Sequence, residues 1–282
     1  MSKNSSLHYY DDGDIIIVIK DVSICAHKRY LSMASKIFSD MCSCATAING
    51  QLPIIYLDEE SAITFEELLS FLYPSQYVRI TWNNIEPFLQ LADKYEINIV
   101  THASEDFLEH HYEDFPLKSL IIADFFKFNK VYKESSKLVL NRLLDYRKHE
   151  DFKRLSFRTV AALQSRYLDY ITAIGNLGNF KPLEGFTHDL LCNRHSHEED
   201  FTHALDGLIK KTKVCPAPAP STTFKSFLSP GFSMGPRTCS KSFIEIYKMK
   251  FKAFFGPMEP LENEKRKADA SYYIFIEPMS RT

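Results

Sequence analysis

The chain has 282 residues, enough for one large or two small domains with a proper core, and its 45% hydrophobic and 25% charged residues are ordinary for a globular protein. A net charge of −2 advertises neither a nucleic-acid nor an acidic-membrane partner. Nine glycines are few for a nucleotide-binding fold, which presses backbone against phosphate at glycine positions.

The first residues, Met1 to Asp14, contain no apolar core of the kind a secretory leader needs, so none is expected. The longest clean apolar run, Ile15–Ile19, falls far short of the roughly 20 residues of a membrane helix. Six cysteines (Cys25, Cys42, Cys44, Cys192, Cys215 and Cys239) are scattered without the spacing of a disulfide framework, and a reducing cytoplasmic or nuclear location is expected.

Ile15–Ile19 reads as a strand apolar on both faces, and Val22–Cys25 as a half-buried second strand. From His27 to Met41, the apolar positions Leu31, Ala34, Ile37, Phe38 and Met41 have helical spacing. Residues 53–57 form a third strand, followed by a helix carrying Ile63, Phe65, Leu68, Leu69 and Leu72 and stopped at Tyr73-Pro74. Tyr77–Thr81 alternates like a fourth strand. Asn84 is an expected N-cap for a helix whose Ile85, Phe88, Leu89 and Ala92 fall at i, i+3, i+4 and i+7, and Ile97–Leu108 repeats that spacing.

Beyond His111 the pattern is helical. One face carries Leu117, Leu120, Ile121, Phe125 and Phe128, and a second carries Val131, Ser135, Leu138, Val139, Leu143 and Tyr146. Ser156 is placed to cap a last helix with Val160, Leu163, Tyr167, Leu168 and Ile171. From Cys215 onward the chain holds eight of its thirteen prolines, beginning with an alternating Pro-Ala run over 216–220 that reads as an extended linker.

Several co-ordered phrases then carry a resemblance. An acidic residue opens the first apolar strand (Asp14-Ile-Ile-Ile-Val). Ala26-His27-Lys28-Arg29-Tyr30-Leu31 follows the second strand, and Ser35, Phe38 and Met41 come next at fixed offsets. The later helix ends in Leu91-Ala92-Asp93-Lys94-Tyr95. In these phrases, and in its order of strands and helices, the chain resembles the BTB/POZ domain. The resemblance covers about residues 12–112 and implies an α+β fold, with a short three- to four-stranded sheet flanked by helices, followed by an all-α extension over 113–174. Residues 175–282 are expected to form a loop and a Pro-rich, largely disordered tail. The extension resembles that of compact nematode-type BTB proteins, and the thirteen residues ahead of Asp14 leave no room for the MATH domain that many relatives carry there.

The same resemblance implies self-association, and recruitment of a cullin scaffold by a substrate adaptor of a ubiquitin ligase, with an unknown protein as substrate. Asp14 and His27 read as hallmark residues of the fold's own polar bonding. Candidate partner-interface positions are Tyr30, Met41, Thr46, Ala47, Ile48 and Tyr95. Two features depart from the family pattern. The stretch Thr46-Ala47-Ile48 lacks the glutamate of the apolar-x-Glu motif that cullin-binding relatives often carry, and no Glu occurs between Met41 and Glu59. Ser2–Gly13 is short and polar where dimeric relatives often carry an apolar helix. The alternative reading is an assembly scaffold with a transcriptional or cytoskeletal partner and no cullin.

No phosphate loop, nucleophile elbow, zincin or EF-hand pattern is present, so no catalytic residue and no cofactor is expected. His188, Cys192, His195, His197 and His203 offer one thiol among four imidazoles, not the paired spacing of structural zinc, and read as a solvated loop. Cys42-Ser-Cys44 is not a redox pair and reads as inert thiols. In the tail, Tyr247–Ala253 alternates apolar and basic residues like an added strand, and the aromatic run Tyr272–Ile276 is dense for a disordered segment.

Overall fold

The computed structural model describes residues 3–47, 50–74, 78–177, 249, 253–267 and 272–278, which fall into two compact units, 1–110 and 111–282.

The first unit is built on a four-stranded mixed sheet of β1 (Lys3–Tyr9), β2 (Ile15–Ile19), β3 (Val22–Ala26) and β4 (Ile54–Tyr56), in the order β1-β3-β2-β4. β2 and β3 form an antiparallel hairpin with a two-residue tip, where Lys20 takes φ 52°. β1 pairs parallel to β3, and β4 parallel to β2. Ile15, Ile17 and Ile19 alternate into the core, while Ile16 and Val18 are only half-buried, so β2 is less enclosed than its sequence suggested. The core is completed by α1 (Lys28–Ala34), α2 (Lys36–Cys44), α3 (Ala62–Leu72), α4 (Ile85–Lys94) and α5 (Asn98–His111), which bury Leu31, Phe38, Phe65, Leu68, Leu69, Phe88 and Leu89. A break at Ser35 divides the expected run from His27 to Met41. Ser35 has extended backbone and its Oγ accepts from Phe38 N at 3.0 Å, so one residue ends α1 and caps α2.

Three expectations are corrected here. β1 was not foreseen, because Lys3–Tyr9 shows no apolar alternation; polar groups anchor it instead. His8 is fully buried and its Nε2 bonds the Glu66 carbonyl and Ser70 Oγ, both at 2.8 Å. Residues 78–81 form no strand, although Ile80 is buried. Asn84 precedes α4 without capping it. Its Oδ1 accepts from Thr81 N at 2.8 Å, and its Nδ2 donates to Arg79 O and Glu67, so it spends its bonds on the preceding loop.

Gly13 is required by close approach. A Cβ there would lie 2.5 Å from Cys25 Sγ and 3.0 Å from the Ala26 carbonyl, which accepts from Asp14 N.

The second unit contains α6 (Pro116–Phe126), α7 (Asn129–Asn141), the single-turn α8 (Leu143–Tyr146) and α9 (Phe157–Leu177). α6 starts with proline in its first turn and stops at Lys127, which adopts φ 64°. Leu117, Leu120, Ile121 and Phe128 are buried as expected, while Phe125 is exposed. Ser156 caps α9, its Oγ accepting from Thr159 N at 3.2 Å. Asp124 on α6 fixes that corner, accepting from Ser156 N, Ser156 Oγ and Thr159 Oγ1 at 2.8, 3.1 and 2.8 Å. A carboxylate at a helix N-terminus also meets the positive end of the helix dipole. The buried stripe of α9 is Thr159, Leu163, Tyr170, Ala173 and Ile174. Leu168 and Ile171, expected in it, are exposed.

Of residues 175–282, expected as a loop and a largely disordered tail, the structure describes 175–177, 249, 253–267 and 272–278. Met258–Pro260 (β5) pairs antiparallel with Tyr272–Ile274 (β6), and Phe255, Leu261, Ile274, Phe275 and Ile276 are buried. The Pro-rich run over 216–220 lies outside the described residues, as does most of Tyr247–Ala253. No described helix is long and apolar enough to cross a membrane.

Candidate interaction surface

The start of α1 lacks a side-chain cap of its own. Asp14, fourteen residues earlier, supplies the bond: its Oδ1 accepts from Lys28 N at 2.7 Å. A carboxylate there satisfies one of the free N–H groups that every helix start leaves. His27 stands beside it. Its backbone N–H donates to Tyr73 Oη at 2.9 Å, its Nδ1 lies 3.1 Å from the same oxygen, and its Nε2 lies 3.2 Å from Asp12 Oδ1. This pattern fits the tautomer with the proton on Nε2, so that Tyr73 donates to Nδ1. Asp14 and His27 thus join the sheet to α1 and to the end of α3.

Tyr73 is the centre of an aromatic cluster that the sequence did not single out. Tyr10 stacks on it at 4.9 Å with the planes 7° apart, Tyr30 lies at 4.9 Å, and His8 and His27 each at 5.8 Å. Burial pushes the Tyr73 phenol up to about 12, with the His27 backbone bond opposing.

Buried His8 is held below the ordinary histidine range by desolvation, which outweighs its bond to the Glu66 carbonyl. A depressed folded-state value means that the unfolded chain takes up the proton first. Stability is therefore retained above the unfolded value, about 6.5, and declines as pH falls below it toward the lower folded-state value. A His8→Gln variant keeps a donor for the Glu66 carbonyl but cannot titrate. Its thermal midpoint is expected to fall less than the wild type's between about pH 7 and 5. Equal pH slopes for the two proteins would contradict this role.

The interface candidates separate by exposure. Tyr30 lies at the surface of α1 with 36% of its area exposed, edge-on to His27. Met33, one turn further along the same helix, is 75% exposed and was missed by sequence reading. Its spacing of three from Tyr30 was the available signal, since i and i+3 share a helix face. Met41 is half-buried on α2, Thr46 and Ala47 are exposed just after it, and Ile48 lies outside the described residues.

Tyr95 is corrected: it is 4% exposed and belongs to the core. Its ring stacks on Phe38 at 4.6 Å, and its hydroxyl donates to Glu60 Oε1 at 2.8 Å. Lys94 adds a bond to the same carboxylate oxygen at 2.6 Å, and Ser35 Oγ donates to the Tyr95 carbonyl. The Leu91–Tyr95 phrase is therefore a packing and bonding motif. Burial, then the bond to Glu60, raises the Tyr95 phenol, and the bonds to Glu60 and Glu59 raise Lys94.

Cys25 and Cys42 are buried, and desolvation raises both thiols; Cys44 is exposed. Of the candidate metal cluster, His188, Cys192, His195, His197 and His203 all lie outside the described residues. Among the described residues no group of three or more potential ligands is placed to hold a metal ion.

In the first unit the hallmark polar groups are engaged within the fold, and exposed aromatic and apolar side chains are spread over β1, α1, β4, α3 and α5. In comparison with known proteins, residues 4–112 match the model of the BTB/POZ domain, and the chain carries a BTB/POZ domain over that span. The match begins at β1, eight residues ahead of the boundary expected from sequence. BTB and MATH domain-containing protein 38 of Caenorhabditis elegans is 30% identical over 165 residues, covering 56% of this chain and 41% of the relative. Kelch-like protein 25 of Rattus norvegicus and of Mus musculus are each 27% identical over 154 residues, covering 54% of this chain and 26% of the relative. The chain thus spans less than half the length of these relatives. The BTB fold is a non-catalytic interaction module followed here by a helical region.

Proposed function

We propose that the chain is a self-associating adaptor, which pairs through the α1 face of its BTB domain and presents the end of α2 to a cullin-type ubiquitin-ligase scaffold. The observation that carries this reading is that Tyr30 and Met33, 36% and 75% exposed, share one face of α1. Contiguous exposed apolar side chains mark interaction sites when they rise above the scatter normal for a surface. An aromatic and a methionine are also residue types enriched at interface centres. Met41, Thr46 and Ala47 form the proposed scaffold contact. Without a glutamate in that stretch, this contact rests on apolar packing in place of a charge-assisted bond.

Sedimentation velocity of the whole chain tests the self-association. A dimer is expected at tens of micromolar. Joint Tyr30→Glu and Met33→Glu substitution should yield a monomer, because two buried like charges in a symmetric interface are costly. Met33→Glu alone should leave stability within about 0.5 kcal/mol of the wild type, whereas Tyr30→Glu also removes the ring contacts with Tyr73 and His27 and should lower the thermal midpoint. A wild-type monomer at those concentrations would remove the pairing.

A further inference from the structure

Besides its buried stripe, α9 carries a second stripe that faces outward. Phe157, Ala161, Gln164, Leu168, Ile171 and Gly175 are all exposed, with Phe157 at 86%, Leu168 at 64% and Ile171 at 41%. They follow one another at intervals of four, three, four, three and four residues. That is the seam spacing of a helix that packs on another helix along its length, about 27 Å here at roughly 1.5 Å per residue. Leu168 and Ile171, expected in the core stripe, stand on this outer one instead.

The stripe complements itself when a second copy is laid against it in the opposite direction. With the two-fold axis beside Gln164 and Leu168, Phe157 of one helix faces Gly175 of the other, Ala161 faces Ile171, and Gln164 faces Leu168. Each outer layer then sets a large side chain against a small one, so that knobs fill holes. Laid in the same direction, Phe157 would meet Phe157 and Gly175 would meet Gly175, crowding one end and leaving a gap at the other. Gly175 lies inside α9, where glycine weakens a helix, and a Cβ built on it would meet nothing within 4 Å. No described neighbour in the chain therefore calls for its small size, whereas the Phe157 ring of an opposed copy does. Charge points the same way. Arg158 is exposed in the first turn of α9, where the dipole of its own helix disfavours a cation. The opposed arrangement brings it to the last turn of the neighbouring helix, whose free carbonyls form the negative end of that dipole. The parallel one would set Arg158 against Arg158.

We propose that the outer face of α9 is a self-pairing seam, which takes the same face of a second copy antiparallel. The contact is small, with Phe157, Leu168 and Ile171 as its large apolar side chains, and belongs with weak, transient interfaces. A Kd of about 300 µM is expected, well above the concentrations at which α1 is proposed to pair. On a chain that also pairs through α1, a second two-fold seam links dimers into longer assemblies. The seam itself rests on α9 alone and holds whether or not α1 pairs.

The test uses the full chain with Phe157 replaced by the photo-reactive p-benzoylphenylalanine, a change the fold tolerates because that ring is exposed. Equal amounts of ¹⁴N and ¹⁵N chain are irradiated at about 300 µM, where about half of the chains are paired at that Kd. The expected product carries both isotopes and joins position 157 of one chain to residues 171–175 of another. Adding Leu168→Glu sets two carboxylates beside the two-fold axis. It should cut the yield at least about tenfold without moving the thermal midpoint, since Leu168 is exposed. Absence of a mixed-isotope product overturns the proposal, as does a yield that Leu168→Glu leaves unchanged. A mixed product joining the two first turns of α9 also overturns it, because the helices then run parallel. So does a product within one chain that joins position 157 to residues 178–252, which would give the face to the chain's own next segment. Failure of α1 pairing shows instead as a monomer at tens of micromolar, so the two proposals fail separately.

Discussion

Replacing Lys137 by methionine should free the C-terminal segment from α7. Lys137 is fully buried, its ammonium 2.6 Å from Glu134 Oε1, and the Glu134 side chain is 4% exposed. The ammonium also donates to the Pro260 carbonyl. Desolvation lowers the lysine from its ordinary range, and the bond to Glu134 opposes that shift. Methionine removes the cation and leaves Glu134 buried beside apolar atoms, with only the Glu262 amide facing its other oxygen. Breaking a buried pair from one side costs about 3–5 kcal/mol. The least costly relief is for residues 253–277 to detach, so that Glu134 regains water. Amide exchange at Glu262 and Ile276, both bonded to α7 side chains, should quicken by about a hundredfold or more, at 1.4 kcal/mol per decade. The double variant Lys137→Met, Glu134→Leu should recover most of the protection, because replacing both members of a buried pair with apolar groups is often neutral. Unchanged exchange in the single variant would mean that the pair does not hold the segment.

The second large effect is expected at Phe38. Its ring is fully buried, stacked on Tyr95 at 4.6 Å with the planes 18° apart, and edge-on to Phe65 at 5.9 Å. Truncation to alanine removes the aromatic contact and leaves a cavity under α2 that the surrounding helices and sheet cannot fully close. A Phe→Ala change of this kind costs about 3–5 kcal/mol, a large share of the roughly 5–15 kcal/mol that stabilises a typical domain. Urea unfolding of the chain should show the transition of the BTB unit at a markedly lower midpoint, with little change in slope. Loss of the Met33 side chain, by contrast, should scarcely move it. A Phe38→Ala midpoint within error of the wild type would show that the α2–Tyr95 contact contributes little.

The parts of the BTB unit legible in the sequence are those where apolar period and hallmark phrases coincide. Ile15–Ile19 and residues 53–57 are short apolar runs that read as strands, and Phe65, Leu68 and Leu69 mark α3. Ser35, Phe38 and Tyr95 prove to be a single bonded and stacked cluster, so the phrases containing them are structural in origin. The candidate interface was only half legible. Tyr30 is exposed as an interface residue must be, while Tyr95 is core, since sequence does not distinguish an aromatic that packs from one that protrudes. β1 and the C-terminal segment escaped for a common reason: each is held by polar side chains and main-chain bonds across a long sequence separation, His8 to Glu66 and Lys137 to Pro260. Hydrophobic periodicity carries no trace of such bonds. The α9 stripe was misplaced because Thr159 is buried by its bonds to Asp124 and Tyr132, while Leu168 and Ile171 face outward.

The adaptor reading meets its most direct test in calorimetric titration of the whole chain with the N-terminal helical domain of a BTB-partner cullin. Binding with a Kd of about 1 µM or tighter, about −8 kcal/mol or better, is the expected result, weakened at least about tenfold by Met41→Asp or Ala47→Asp. No measurable binding at about 100 µM would contradict it. The missing glutamate after α2 would then be decisive, and the BTB domain would serve assembly alone.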